Sequence, residues 1–146
     1  MTESRRDFFC RAGAAIGALP LAQVMSGCAG LNVYKVAPIS GELRLDLNSL
    51  IELSVEAGTA ILSVEGTDAP LFVVRYNATQ YHTLSAICTH RGCTVEEKGS
   101  RFVCPCHGST YDRTGSVIKG PAEQPLRRYP TRLENNGRTL VIQYTA

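Results

Sequence analysis

A chain of 146 residues, 44% of them hydrophobic and with a formal net charge of +2, suits one domain with one modest core and excludes the disordered and coiled-coil classes. Its lysines and arginines are scattered rather than clustered, which excludes the basic footprint of a nucleic-acid-binding surface.

The first segment reads as targeting rather than fold. Arg5 and Arg6 precede Phe8, and an uncharged run over 12–24 follows. Residues 1–27 therefore resemble a twin-arginine export signal, a charged region followed by a weakly apolar one. The alternative is a general secretory signal, which exports the chain as well. The uncharged stretch continues to Tyr34, but Gly13, Gly17, Pro20, Gln23, Ser26 and Gly27 fit poorly with the ~20 apolar residues of a membrane helix. "VMSGC", residues 24–28, resembles the lipobox of bacterial lipoproteins and makes Cys28 the expected lipidation site. Cleavage after a small residue such as Ala29, or an uncleaved signal acting as anchor, are the other outcomes. The expected location is the periplasmic side of a bacterial membrane.

A Gly/Asn/Pro-containing connector, residues 28–40, leads into a domain over 41–146. Short segments rich in β-branched and aromatic residues predict strands over Glu42–Leu47, Leu50–Val55, Ala60–Val64, Leu71–Tyr76, Tyr81–Ala86, Arg101–Cys104, Thr131–Asn135 and Arg138–Tyr144. Asn136-Gly137 supplies the positive-φ residues of a two-residue hairpin turn between the last two. "GTDAP" (66–70) and "GPAEQP" (120–125) are loops by composition. Outside the signal no window has the helical apolar period, and no internal repeat or second domain is seen. Many short strands imply an all-β sandwich or small barrel.

Four cysteines and two histidines fall in two loops, "CTHRGC" (88–93) and "CPCHGS" (104–109). Cys88 and His90, with Cys104 and His107, offer two thiolates and two imidazoles. Such a set suits tetrahedral zinc or an iron–sulfur cluster with histidines on one iron. Cys93 and Cys106, one in each loop, could bridge the loops in an oxidising compartment. A metal-free domain with two disulfides, in any of three connectivities, is the remaining possibility, and it leaves both histidines unexplained. Zinc sites space their ligands differently, as C-x2-4-C and H-x3-5-H.

The run "CTHRGC…CPCHGSTYD…GPAEQPL" is similar to the cluster-binding region of the Rieske [2Fe–2S] proteins. It departs from their G-P-A-P loop only at Glu123. The resemblance implies an all-β, Rieske-type antiparallel β-sandwich with a small cluster-binding subdomain, and a [2Fe–2S] cluster as cofactor. By position it implies Cys88 and Cys104 on one iron, His90 and His107 on the other, and a Cys93–Cys106 disulfide. It further implies a Ser109 hydroxyl donating to a bridging sulfide and a Tyr111 phenol donating to a cysteine sulfur. Neutral imidazoles in place of thiolates make reduction easier, and donors to sulfur stabilise the reduced centre further.

The expected function is one-electron transfer in a membrane-associated, high-potential protein whose partner is a redox protein such as a c-type cytochrome. The alternatives are the Rieske subunit of a quinol-oxidising cytochrome bc-type complex, with quinol as a further partner, or the small subunit of a molybdenum oxidoreductase. Arg91 stands where the resemblance implies leucine in the bc subunits, and a guanidinium suits an apolar quinol pocket poorly. His82, Phe72, Tyr76 and Phe102 read as strand or core residues, and Arg127-Arg128 as a solvated pair.

Overall fold

The computed structural model describes residues 32–144; the expected signal, Cys28 and most of its connector lie outside them. Twelve strands follow in chain order: β1 (Val33–Val36), β2 (Glu42–Asp46), β3 (Thr59–Val64), β4 (Leu71–Arg75), β5 (Tyr81–Ser85), β6 (Glu96–Lys98), β7 (Arg101–Val103), β8 (Thr110–Tyr111), β9 (Val117–Lys119), β10 (Arg128–Tyr129), β11 (Thr131–Glu134) and β12 (Thr139–Gln143). They form a five-stranded sheet in the order β1-β3-β4-β5-β10, a three-stranded sheet β11-β12-β2 and a four-stranded sheet β6-β7-β8-β9. All pairings are antiparallel except that of β1 with β3. β1 lies within the stretch read as connector. Among the described residues no helix is long and apolar enough to cross a membrane.

Strand β4 explains why the molecule has two cores. Its side chains alternate between faces, and Leu71 and Val73 join a cluster with Leu43, Leu62, Leu140 and Ile142 between the five- and three-stranded sheets. Phe72 and Val74 face the other way, into a cluster with Leu84, Phe102, Tyr111 and the two free cysteines. A strand buried on both faces reads as an unbroken apolar run, as "LFVV" does. Beyond this shared cluster, two side chains help fix the four-stranded sheet to the second face. Phe72 and Phe102 stack with centroids 4.4 Å apart. Arg113 pairs with Glu97 at 2.7 Å, donates to the Gly99 carbonyl at 2.9 Å and bonds Thr59 of β3.

Seven of the expected strands form with their ends moved by single residues. "LIELSV" does not. It lies in two 3-10 turns, Leu47–Ser49 and Ile51–Ser54, because Leu50 and Leu53, three apart, both point into the core and match the three-residue turn rather than strand alternation. Asp46 starts these turns by accepting the Asn48 N–H. The β11–β12 hairpin is present, but Glu134 pairs with Thr139, so the connection is four residues long. Asn135, Asn136 and Gly137 all have positive φ in place of the expected two-residue turn. Arg127 and Arg128 are engaged rather than merely solvated: one guanidinium lies 4.9 Å over the Tyr129 ring, and the other donates to the Thr114 carbonyl at 2.6 Å. His82 lies half-buried on β5 against Tyr76, at 5.0 Å.

Candidate metal centre

Two loops carried by the four-stranded sheet and the end of β5 converge, and they share one backbone. In the first, Cys88 N–H donates to the Cys93 carbonyl at 2.8 Å and Gly92 N–H to the Cys88 carbonyl at 2.9 Å. In the second, Cys104 N–H donates to the Ser109 carbonyl at 2.8 Å and Gly108 N–H to the Cys104 carbonyl at 3.0 Å. The six-residue segments therefore superpose in register: Cys88 with Cys104, His90 with Cys106, Arg91 with His107, and Cys93 with Ser109. This short repeat escapes a search for whole-domain repeats because only the cysteine and glycine are shared letters.

The register places different chemistry on the same scaffold. Cys88 and Cys104 are free and about 2% and 1% exposed, at the buried start of each loop. The Cys93 and Cys106 sulfurs are bonded and link the loops, across a sequence separation of 13. The His90 and His107 rings meet edge to face with centroids 4.9 Å apart. His107 is exposed and His90 half-buried. The sulfurs of Cys93, Cys104 and Cys106 also lie within 4.8 Å of one another, but the disulfide leaves only Cys104 of these three able to bind metal.

One polar atom tests whether this site suits a metal group. His90 Nδ1 is buried and has no hydrogen-bond partner. A buried unpaired nitrogen costs about 1–3 kcal/mol unless something occupies its lone pair. Beside two buried free thiols, it fits a centre that takes soft sulfur and imidazole nitrogen together.

Hydrogen bonds converge on Cys88. Burial pushes its thiol up, but bonds from Tyr111, from the His90 backbone, from Cys104 and from Ser109 outweigh it, and the net direction is down, toward thiolate. Tyr111 Oη lies 3.3 Å from Cys88 Sγ and 3.1 Å from Thr89 Oγ1. Thr89 spends its hydroxyl proton on the Gln124 carbonyl at 2.6 Å, so the single phenol proton of Tyr111 is the one available to these acceptors. A thiolate takes it preferentially, because charge-assisted bonds are the stronger. Ser109 Oγ accepts the Ala122 N–H at 3.0 Å, which leaves its own proton free to donate. The bonds to Gln124 and Ala122 also pin the 120–125 loop across the site. Thr89 is the member of this hydrogen-bond network that sequence reasoning missed; nothing beyond its place between Cys88 and His90 marks it. Arg91 and Glu123 are exposed.

The sequence model of the Rieske [2Fe–2S] domain matches residues 51–130, a span that contains both loops. Over 62 residues the chain is 50% identical to cytochrome b6-f complex iron-sulfur subunit 1, cyanelle, of Cyanophora paradoxa, covering 40% of this chain and 26% of that protein. Over 87 residues it is 38% identical to the cytochrome b6-f complex iron-sulfur subunit of Synechococcus sp. (strain CC9605), covering 58% of this chain and 48% of that protein. These matches span about half or less of the length of those curated relatives. A solved structure described as hyperthermophilic respiratory Complex III contains a chain 32% identical, with 66% of this chain and 71% of that chain covered and a TM-score of 0.51.

Proposed function

Because the chain belongs to the Rieske [2Fe–2S] family and accordingly binds a [2Fe–2S] cluster, we propose that it passes single electrons between redox partners, with Cys88, His90, Cys104 and His107 as the four ligands. The observation that carries the ligand assignment is the unpaired, buried Nδ1 of His90 beside two free, buried cysteines. When bound, such a centre supplies reversible one-electron chemistry at potentials between about −150 and +300 mV.

The residues around it favour the upper part of that range. Two neutral imidazoles leave the site less negative than four thiolates. Tyr111 donates a proton toward Cys88, and Ser109 has one to donate; each such bond strengthens as sulfur gains electron density. Burial of Cys88 and Cys104 keeps water off the sulfurs, while the exposed His107 gives a partner a short approach. Export through the twin-arginine-like segment and lipidation at Cys28 would hold the protein on the periplasmic side of a membrane.

A second reading, the Rieske subunit of a quinol-oxidising complex, is favoured by the cytochrome b6-f and Complex III relatives. Arg91 argues against it. It takes the position in the first loop that His107 takes in the second, and so puts a positive charge on the exposed rim. The test is electron paramagnetic resonance of the reduced, purified protein. A Rieske-type spectrum with an average g below that of the free electron is expected. It should be lost on His90→Ala while Cys93 and Cys106 remain bonded. Bound zinc and no such spectrum would overturn the assignment.

A further inference from the structure

We propose that the end of the domain opposite the cluster loops rests on the lipid surface through Ile51, Val55 and Tyr76, and presents the cluster to the aqueous side. This rests on the anchoring at Cys28 proposed above and states how the anchored domain stands.

Among the described residues six large hydrophobic side chains are exposed, and none is in the cluster loops. Three of them, Ile51 at 71%, Val55 at 61% and Tyr76 at 54%, gather at one end. Arg75, next to Tyr76, donates to the Leu53 and Ser54 carbonyls at 3.0 and 2.6 Å, and its own carbonyl accepts the Ala57 N–H at 2.9 Å. Ile51, Arg75, Ala78 and Tyr81 line a common hollow of about 400 Å³. Isolated exposed apolar residues are ordinary, but three gathered at one end of a small domain suggest a partner.

The described chain begins at the same end. Asn32 and Tyr34 both donate to the Glu52 carboxylate, at 2.7 and 2.6 Å, which fixes the first strand beside Ile51. Only residues 29–31 separate Cys28 from Asn32, a reach of no more than about 14 Å. The cluster lies farther off. β5 leaves this end at Tyr81, paired with Arg75, and the chain reaches Cys88 seven residues later, roughly 20 Å away at strand rise. An anchor at Cys28 therefore draws the Ile51 end to the bilayer and leaves the cluster loops outward.

The contact is apolar. Glu52 is occupied by its two donors and Arg75 by backbone carbonyls, and the exposed charges beside the patch and its hollow, Asp46, Glu56 and Arg138, are of mixed sign with no positive excess. Anionic lipid should not strengthen it.

The chain contains no tryptophan, so a single introduced one reports its own depth. Full-length, membrane-anchored protein carrying Val55→Trp, Ile51→Trp or Arg91→Trp would be reconstituted in vesicles of acyl-brominated phosphatidylcholine, with and without phosphatidylglycerol. Quenching of the first two by about half is expected from side chains seated at the headgroup boundary, with little change for Arg91→Trp and no effect of phosphatidylglycerol. Equal or stronger quenching of Arg91→Trp overturns the proposal. Protein that fractionates away from membranes overturns the anchoring and this orientation together, whereas retained protein with both base reporters unquenched overturns the orientation alone.

Discussion

Gly92 and Gly108 occupy equivalent places in two copies of one loop: each has a φ of +77°, and each donates its N–H to the carbonyl of the cysteine four residues earlier. Open space surrounds both, since a Cβ on either would meet nothing within 4 Å. Alanine there carries only the left-handed backbone penalty of about 1 kcal/mol. Gly58 is the reverse case, because its Cβ would stand 1.8 Å from the Glu52 carbonyl oxygen. Gly58→Ala should therefore cost more, about 3 kcal/mol by overpacking, although it is remote from the cluster. Denaturant unfolding of the three holo variants checks the order.

Tyr111→Phe removes a donor 3.3 Å from Cys88 Sγ and leaves the ring in place. If that bond is stronger by about 1 kcal/mol in the reduced state, the midpoint potential falls by about 40 mV. Ser109→Ala should act in the same direction. A redox titration in which both variants keep the parent midpoint would show that neither hydroxyl addresses the cluster.

The Cys93–Cys106 bond closes a loop with a sequence separation of 13. Restricting the unfolded chain in this way contributes about 3 kcal/mol. The double variant Cys93→Ser/Cys106→Ser should lose stability of that order and bleach its visible absorption faster, since only the cluster's own ligation and non-covalent contacts would then tie the two loops together. An unchanged rate of cluster loss would assign the clamp to the 120–125 loop instead.

Acid stability should depend on Asp112. Burial pushes its carboxyl up, but bonds from Thr114 Oγ1 at 2.6 Å, Thr114 N–H at 2.7 Å and Ser116 N–H at 3.0 Å bring the net direction below the ordinary range. The folded form thus holds its proton less tightly than the unfolded chain. The resulting stability is fully present above the unfolded value, near pH 4, and disappears as pH falls through the lower folded value. Asp112→Asn should be less stable at neutral pH and show a flatter loss between about pH 5 and 2. Urea midpoints measured across that range decide it.

The letters alone carried most of the fold and much of the site. Period-two alternation in "ELRLDL" and the doubly apolar "LFVV" identify strands because burial on one face or two leaves its pattern in the residues themselves. The same local logic misread "LIELSV", where β-branched content suggests a strand and only the position of the core shows that Leu50 and Leu53 turn inward together. The two-residue strands β8 and β10 are too short to carry any pattern, and their pairing depends on partners distant in sequence. Thr89, joined to Tyr111 and Gln124 across 22 and 35 residues, is invisible for the same reason.

By itself, then, the sequence determined the cysteine and histidine pattern, its spacing and the family, because the chemistry of sulfur and imidazole is written in residue identity. Tertiary structure decided what depends on distant segments meeting. It showed that "CTHRGC" and "CPCHGS" are one loop used twice and that Tyr111 and Ser109 both address Cys88. It also put three of the exposed apolar residues, Ile51, Val55 and Tyr76, at the end away from the cluster. Each of these follows from backbone pairing and burial, which bring together groups far apart in the chain and which no local window of residues contains.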